Sequence, residues 1–311
     1  MLLQPVNLDD LVSQLRTANA QGNKVAGANL ASMNRLIEHV PEDMTCTVES
    51  GMNLKQFQSQ LATNGQCLPI DPPNPGRFTV GELIRRNLSG PRRFGYGTIR
   101  DYLIGIKVVL ADGRVINAGG KVVKNVAGYD LCKLFVGSDN SLGIVVEANF
   151  KLRPLPPATG FVGLMCENLD AVDRLIDSLM KSELTPTVMD LHNLNLQGSD
   201  FPYAFVIGFE GSTDEVDWQL AKARELGIHE STTSIPDTDF WDDPAPTKIS
   251  ILPSQLTKHL RSLGNAQFIA RAGNGIIYHR GTTENPYSDL PVELFRRVKS
   301  VFDPNHTLPE L

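Results

Sequence analysis

Gly119-Gly120-Lys121-Val122-Val123-Lys124-Asn125-Val126-Ala127-Gly128-Tyr129-Asp130, followed by Gly137-Ser138 and Leu142-Gly143-Ile144-Val145-Val146-Glu147, is the stretch on which the reading of this chain turns. Glycines stand here beside β-branched residues, so strand-forming runs alternate with positions that lack a Cβ. That pattern lets a backbone approach a bulky, flat group closely. Upstream, Asn87-Leu88-Ser89-Gly90-Pro91-Arg92-Arg93 and Tyr96-Gly97-Thr98-Ile99-Arg100-Asp101 bring polar groups to the same region. Together these segments read as a cradle for a large cofactor.

The rest of the composition narrows what surrounds that cradle. A chain of 311 residues is comfortable for two domains and buries a core without disulfides. With 41% apolar and 21% charged residues it is neither disordered nor fibrous. The net charge of −6 leaves no concentrated positive surface, which argues against nucleic acid as a main partner. Arg85, Arg86, Arg92 and Arg93 form the one basic cluster, suited to phosphates or equally to solvent. No apolar run approaches 18 residues, and the amino terminus shows no export signal. Cys46, Cys67, Cys132 and Cys166 are scattered with no Cys-x-x-Cys pair. Metal or iron–sulfur ligation is therefore not expected, and reduced thiols fit a cytoplasmic protein, peripheral to a membrane only through partners.

Periodicity places elements around the central block. Leu11, Val12, Leu15 and Ala18 share a helical face between Leu8 and Asn19, with Asn7 as its cap. Thr45–Val48 reads as a strand ending at Gly51, and Asn53 caps a helix that runs to Leu61. Gly105–Leu110 and Val115–Ala118 form a hairpin around Asp112-Gly113. Leu131–Val136 reads as a short helix and Gly143–Leu152 as a strand. Arg153-Pro154-Leu155-Pro156-Pro157 is a stiff connector expected to end the sheet ladder there. Beyond it, Phe161–Cys166, Leu169–Met180, Thr187–Leu191, Tyr203–Glu210 and Thr213–Leu226 give the order β-α-β-β-α of a ferredoxin-like layer. Ile249–Leu252, Gln267–Ala270 and Gly275–Tyr278 can extend its sheet, and Pro291–Phe302 is an amphipathic closing helix.

The blocks Asn87–Asp101 and Gly119–Pro154, and above all Lys124–Lys133 followed by Gly137-Ser138, resemble the FAD-linked oxidases with a PCMH-type FAD-binding domain. The resemblance is greatest to the FAD-binding E subunits of bacterial glycolate oxidases. It implies an α+β, two-domain fold: residues 1–154 as the PCMH-type FAD-binding domain and 158–311 as a ferredoxin-like cap. It also implies that Thr79, Val80, Gly81, Asn87, Ser89 and Gly90 line the pyrophosphate and flavin of FAD. Gly128, Gly137, Ser138, Gly143, Ile144 and Val145 would lie against the rest of the cofactor. Glycine turns alone explain Gly97 and Gly113, but they explain this concentration of glycines and polar groups poorly.

Three departures from the family pattern carry expectations of their own. Lys24–Asn29 runs almost directly into Met33–His39, so a phosphate loop and its flanking strand are expected to be missing. Glu82 stands where the family has glycine, and a carboxylate near a diphosphate is repulsive by about 1 kcal/mol or more where water is excluded. Phe302-Asp303-Pro304-Asn305-His306 lacks the family's usual terminal turn.

No nucleophile–histidine–acid signature is visible. His279, beside Gly273-Asn274-Gly275, is a candidate base, and Arg271 or Arg280 a candidate clamp for a substrate carboxylate; surface groups at strand ends are the plainer reading. The resemblance implies oxidation of glycolate or a related small 2-hydroxy acid, with electrons passing through flavin to an iron–sulfur subunit. A second flavin subunit would share the complex. The competing expectation is a flavin-free, degenerate subunit that acts as a scaffold. A reductase of the UDP-N-acetylmuramate type shares the fold but finds no nicotinamide site or proton-donating serine here.

Overall fold

The computed structural model describes all residues except 122–129, 195, 197–199, 232–238, 243, 283–290 and 311. Gly128 and most of the Lys124–Lys133 signature therefore lie outside the described residues. The chain forms two compact units: Met1–Ser89 with Gly97–Leu155 and Pro291–Leu311, and Gly90–Tyr96 with Pro156–Leu290. This division is not a single cut near residue 155. The closing helix, placed with the cap on sequence order, belongs to the first unit.

Among the described residues the first unit holds nine strands: β1 (Leu2–Leu3), β2 (Gly27–Ala28), β3 (Leu36–Val40), β4 (Thr45–Glu49), β5 (Gln66–Cys67), β6 (Leu103–Val109), β7 (Val115–Gly119), β8 (Ile144–Lys151) and β9 (Arg153–Pro154). Five of them make an antiparallel sheet in the order β3-β4-β8-β6-β7. β6 and β7 are the expected hairpin, with Gly113 in the left-handed region at its turn. The five-stranded ladder ends at Lys151, before the Arg153 connector, and Arg153–Pro154 form β9, which pairs antiparallel with β5 in a separate two-stranded sheet. Proline is tolerated at such a position because the pair is short and at an edge. Within the Lys24–Asn29 stretch, the two-residue β2 pairs parallel with β1.

Two helices anchor this unit for the reasons visible in sequence. Asn7 Oδ1 accepts the Asp10 amide at 2.9 Å and starts Leu8–Ala20, which buries Leu11, Leu15 and Ala18. Asn53 Oδ1 accepts the Lys55 amide at 3.0 Å and starts Leu54–Ala62, burying Leu54, Phe57 and Leu61. Phe57 meets Phe150 of β8 with ring centroids 6.2 Å apart, so this helix is fixed to the centre of the sheet.

The second unit adds β10 (Ala158–Cys166), β11 (Val188–His192), β12 (Tyr203–Gly211), β13 (Glu230–Ser231), β14 (Thr247–Ser250), β15 (Phe268–Arg271) and β16 (Ile276–His279). Their order is β13-β10-β12-β11-β15-β16-β14, antiparallel throughout. The first four positions, with helices Leu169–Lys181 and Thr213–Glu225 as crossovers, are the ferredoxin-like arrangement. Side chains alternate across a strand, so one face carries Met189, Leu191, Phe205, Ile207, Phe268 and Ala270, all in one apolar cluster. Val172, Leu175 and Leu179, three and four residues apart on the first crossover helix, close over that cluster. The other face carries Asp190, His192 and Arg271.

Candidate functional site

Within the first unit a cavity of about 310 Å³ opens between the segment after β2, the end of β4, the start of helix Val80–Arg85, and β8. Its walls include Asn29, Leu30, Ser50, Gly51, Thr79 and Gly81. Small-molecule sites occupy about 300–1,000 Å³, so this one takes part of a dinucleotide rather than the whole.

The backbone around it is tightly fitted. The Gly51 amide donates to Met33 O at 2.9 Å, and the Gly81 amide donates to Ser50 O at 2.7 Å. A Cβ on Gly51 would sit 1.8 Å from Leu30 O, and one on Gly81 would sit 3.0 Å from Ser50. Gly51 is therefore demanded by close chain approach, and Gly81 is tightly fitted. The segment from Asn29 to Arg35 is thus held against the end of β4. Arg35 and its own amide hold Glu49 there through bonds of 2.8 to 3.2 Å. Burial alone would raise the Glu49 carboxyl, but the Arg35 bonds outweigh it and hold the group below its usual value.

Ser50 is buried, and its Oγ has no hydrogen-bond partner among the described residues. A buried hydroxyl left unpaired costs about 1–3 kcal/mol. Ser50 is among the residues that line the cavity, with Asn29, Asn140 and Thr79. This donor and acceptor set, with Arg85 as its cation, fits the phosphates and hydroxyls of a dinucleotide.

Glu82 also lines the cavity, but its carboxylate is engaged. It accepts the Thr79 amide at 3.0 Å while Thr79 Oγ1 accepts the Glu82 amide at 3.2 Å, a capping box that starts helix Val80–Arg85. Arg85 approaches it at 3.5 Å and pairs with Asp139 on its other side. The lining is therefore close to neutral rather than repulsive.

Of the residues expected from sequence, Thr79, Gly81, Ile144 and Val145 meet at this cavity. Val80 is fully buried beside them. Asn87, in the left-handed region, lies against Gly137, whose Cβ would meet the Asn87 Cβ at 3.4 Å. Ser138 donates its hydroxyl to Phe135 O at 2.9 Å, and Ser89 is buried. Gly143 does not reach the cavity: its Cβ would strike Val108 on β6 at 2.6 Å. Gly90 belongs to the second unit. Ser50-Gly51, Asn29–Ala31 and Asn140 were not singled out by sequence. The Glu49-Ser50-Gly51 end of a strand, two small residues after an acid, was their only visible signal.

The three candidate catalytic side chains do not converge. Residues paired across an antiparallel ladder share a face, so His279, opposite Phe268, lies on the apolar side, whereas Arg271 lies on the other. All three are engaged rather than free at the surface. The Gly281 amide donates to His279 Nδ1 at 3.2 Å, and burial, with His259 nearby, keeps the imidazole below its ordinary pKa. Arg271 is ion-paired with buried Asp190 and stacked near the Trp241 and Tyr278 rings. Burial pushes Asp190 up to about 6 against the opposing pull of Arg271. Arg280 donates to the carbonyls of Phe240 at 2.9 Å and Pro244 at 2.8 Å, and so fixes a turn. His192, not singled out by sequence, is buried on the Arg271 face and lowered to about 4 by that burial.

Among the described residues there is no group of three or more His, Cys, Asp or Glu able to hold a metal ion. No helix among them is long and apolar enough to cross a membrane.

Comparison with known proteins agrees with this geometry. Residues 27–119 match the family described as FAD binding domain. Glycolate oxidase subunit GlcD of Bacillus subtilis is 39% identical over 158 residues, 51% of this chain and 34% of the relative. Glycolate oxidase subunit GlcE of Escherichia coli is 37% identical over 125 residues, 40% of this chain and 36% of the relative. The matched part of this chain thus spans about a third of the length of either relative. In fold, alkyldihydroxyacetonephosphate synthase superposes with a TM-score of 0.72 at 16% identity, over 100% of this chain and 77% of that one. The matched range starts at β2 and ends at β7, enclosing Gly51, Gly81 and the capped helix of the cavity, and in this range the chain is similar to an FAD binding domain.

Proposed function

We propose that this chain is an FAD-binding subunit of a glycolate oxidase-like complex that oxidises glycolate or a related small 2-hydroxy acid to the 2-oxo acid. The observation that carries the reading is the cavity with its orphaned Ser50 hydroxyl, Gly51 that admits no Cβ, and an acid engaged by the Thr79 amide and Arg85. Bound FAD would supply the two-electron acceptor for such a substrate. Around it, Thr79 and Ser50 would orient the dinucleotide by hydrogen bonds, and Arg85, shared with Glu82 and Asp139, would face its phosphates. Ile144 and Val145 would exclude water from its apolar portion.

The engagement of Arg271 with Asp190, and of Arg280 with backbone carbonyls, leaves neither disposed to clamp a substrate carboxylate. We therefore assign the substrate step to a second flavin subunit and give this chain the role of an electron relay. The iron–sulfur acceptor is assigned to a further partner. Cys46, Cys67, Cys132 and Cys166 are separately buried, and burial raises the Cys46 thiol to about 12, far from a metal-binding thiolate.

Titration of the purified chain with FAD, followed by quenching of flavin fluorescence, tests the reading. Saturable binding at one site per chain is expected, with flavin absorbance retained when the chain is isolated with its partners. A colourless protein that ignores added FAD yet still binds those partners would establish the flavin-free scaffold instead.

A further inference from the structure

Helix Val292–Phe302 leaves Leu294 and Val301 exposed and buries a lysine. Lys299 is 2% exposed, and its Nζ donates to Asp303 Oδ2 at 2.9 Å, Ser141 O at 3.1 Å and Leu308 O at 3.4 Å. Three ammonium donors thus meet three acceptors. Asp303, fully buried, accepts the Thr307 amide through Oδ1 and the Leu308 amide through Oδ2, both at 2.8 Å. A charged pair so completely enclosed is retained for its geometry more readily than for its net energy.

From this pair two routes lead to opposite walls of the cavity. The first runs through Ser141, whose amide and hydroxyl both donate to Ser138 O. Between them Asp139 and Asn140 are both left-handed, at φ +46° and +65°, a turn that Asp and Asn adopt more readily than other residues with a Cβ. Asn140 lines the cavity, and the Asp139 amide donates to Arg85 O at 3.0 Å. The second route runs through Thr307, whose carbonyl accepts the Val25 amide at 2.7 Å. Val25 leads directly into β2 and the Asn29–Ala31 wall. The walls approach each other where the Gly27 Cβ position lies 4.0 Å from Asn140 Nδ2.

We propose that the buried Lys299–Asp303 pair is a clasp that sets the separation of the two cavity walls, making Lys299 a positioning residue for the dinucleotide. The proposal rests on the reading of this cavity as the FAD site. Its two effects, on wall mobility and on cofactor affinity, are separable.

The test is Lys299→Met in the full chain, read by FAD titration and by hydrogen–deuterium exchange without FAD. Expected are at least tenfold weaker FAD binding and faster exchange in segments 25–31 and 138–141 together, with exchange in the second unit unchanged. Leu308→Ala, which leaves the ion pair intact, should loosen the 25–31 wall with a smaller loss of affinity, and it serves if Lys299→Met does not fold. Unchanged affinity in a folded Lys299→Met protein overturns the clasp. So does faster exchange confined to residues 292–303. If the unaltered chain binds no FAD, the cofactor reading fails instead, and coordinated loosening of both walls still decides for the clasp.

Discussion

Around the cavity, single atoms decide what each side chain contributes. Glu82 serves the helix start with its oxygens and takes up part of the Arg85 charge, two roles that substitution can separate. Glu82→Gln keeps an acceptor for the Thr79 amide and removes the charge. Melting should change little, while FAD binding should tighten about fivefold, equivalent to about 1 kcal/mol. Gly51→Ala should act in the opposite direction, because its Cβ would fall 1.8 Å from Leu30 O. A stability loss of about 1–3 kcal/mol in urea denaturation, with loss of FAD binding, is expected. Glu49 supplies a pH dependence. Its carboxyl is held below the ordinary value of 4.5, so its contribution is present above that pH and is lost as pH falls through the lowered value. Glu49→Gln should remove that acid-sensitive part, about 1 kcal/mol or less because Arg35 is largely exposed.

At the scale of strands and helices, the second unit's sheet separates a packed face from a charged one. Asp190→Ala would leave the Arg271 guanidinium buried without a counter-charge, and a loss of about 3–5 kcal/mol in urea denaturation is expected. Arg271→Met should behave differently, since a carboxyl can take up a proton and a guanidinium cannot. Asp190 already titrates near 6, above its ordinary 3.8, so its ionisation costs stability as pH rises through that interval. In Arg271→Met the destabilisation should be small at pH 5 and grow towards neutrality. Most of this layering was legible in sequence, because Leu169–Lys181 shows a clear 3.6-residue period and strands β10 to β12 are rich in β-branched and aromatic residues. What escaped was short or paired at a distance. β2 has two residues, and Pro154 pairs with Gln66 by its position at an edge rather than by any local propensity. The site divides in the same way. Thr79 and Gly81 stand in a recognisable helix start, but Ser50, Asn29 and Asn140 reach the cavity only through turns whose partners lie far away in sequence. His279 and Arg271 looked adjacent because sequence order does not reveal that one pairs with Phe268 and the other with Ile276.

For the molecule as a whole, each unit has a core of its own, centred on Leu11, Leu15 and Val146 in the first and on Leu191, Phe205 and Phe268 in the second. FAD held by residues of the first unit should raise that unit's calorimetric transition by an amount that grows with the logarithm of free FAD; at a hundredfold excess over Kd this is about 2.7 kcal/mol. An unchanged transition at saturating FAD would contradict binding at this cavity. The helix after residue 290 returns to the body that Met1 begins, so the ferredoxin-like unit is an insertion within another fold. On the ribosome, residues 156–290 are all synthesised while the earlier body still lacks Val292–Phe302 and the Asp303 turn that follows. The inserted sheet can therefore mature before that helix and turn complete the first unit. A chain cut before Lys299 would keep every residue of the second unit while leaving the first without the Lys299–Asp303 pair.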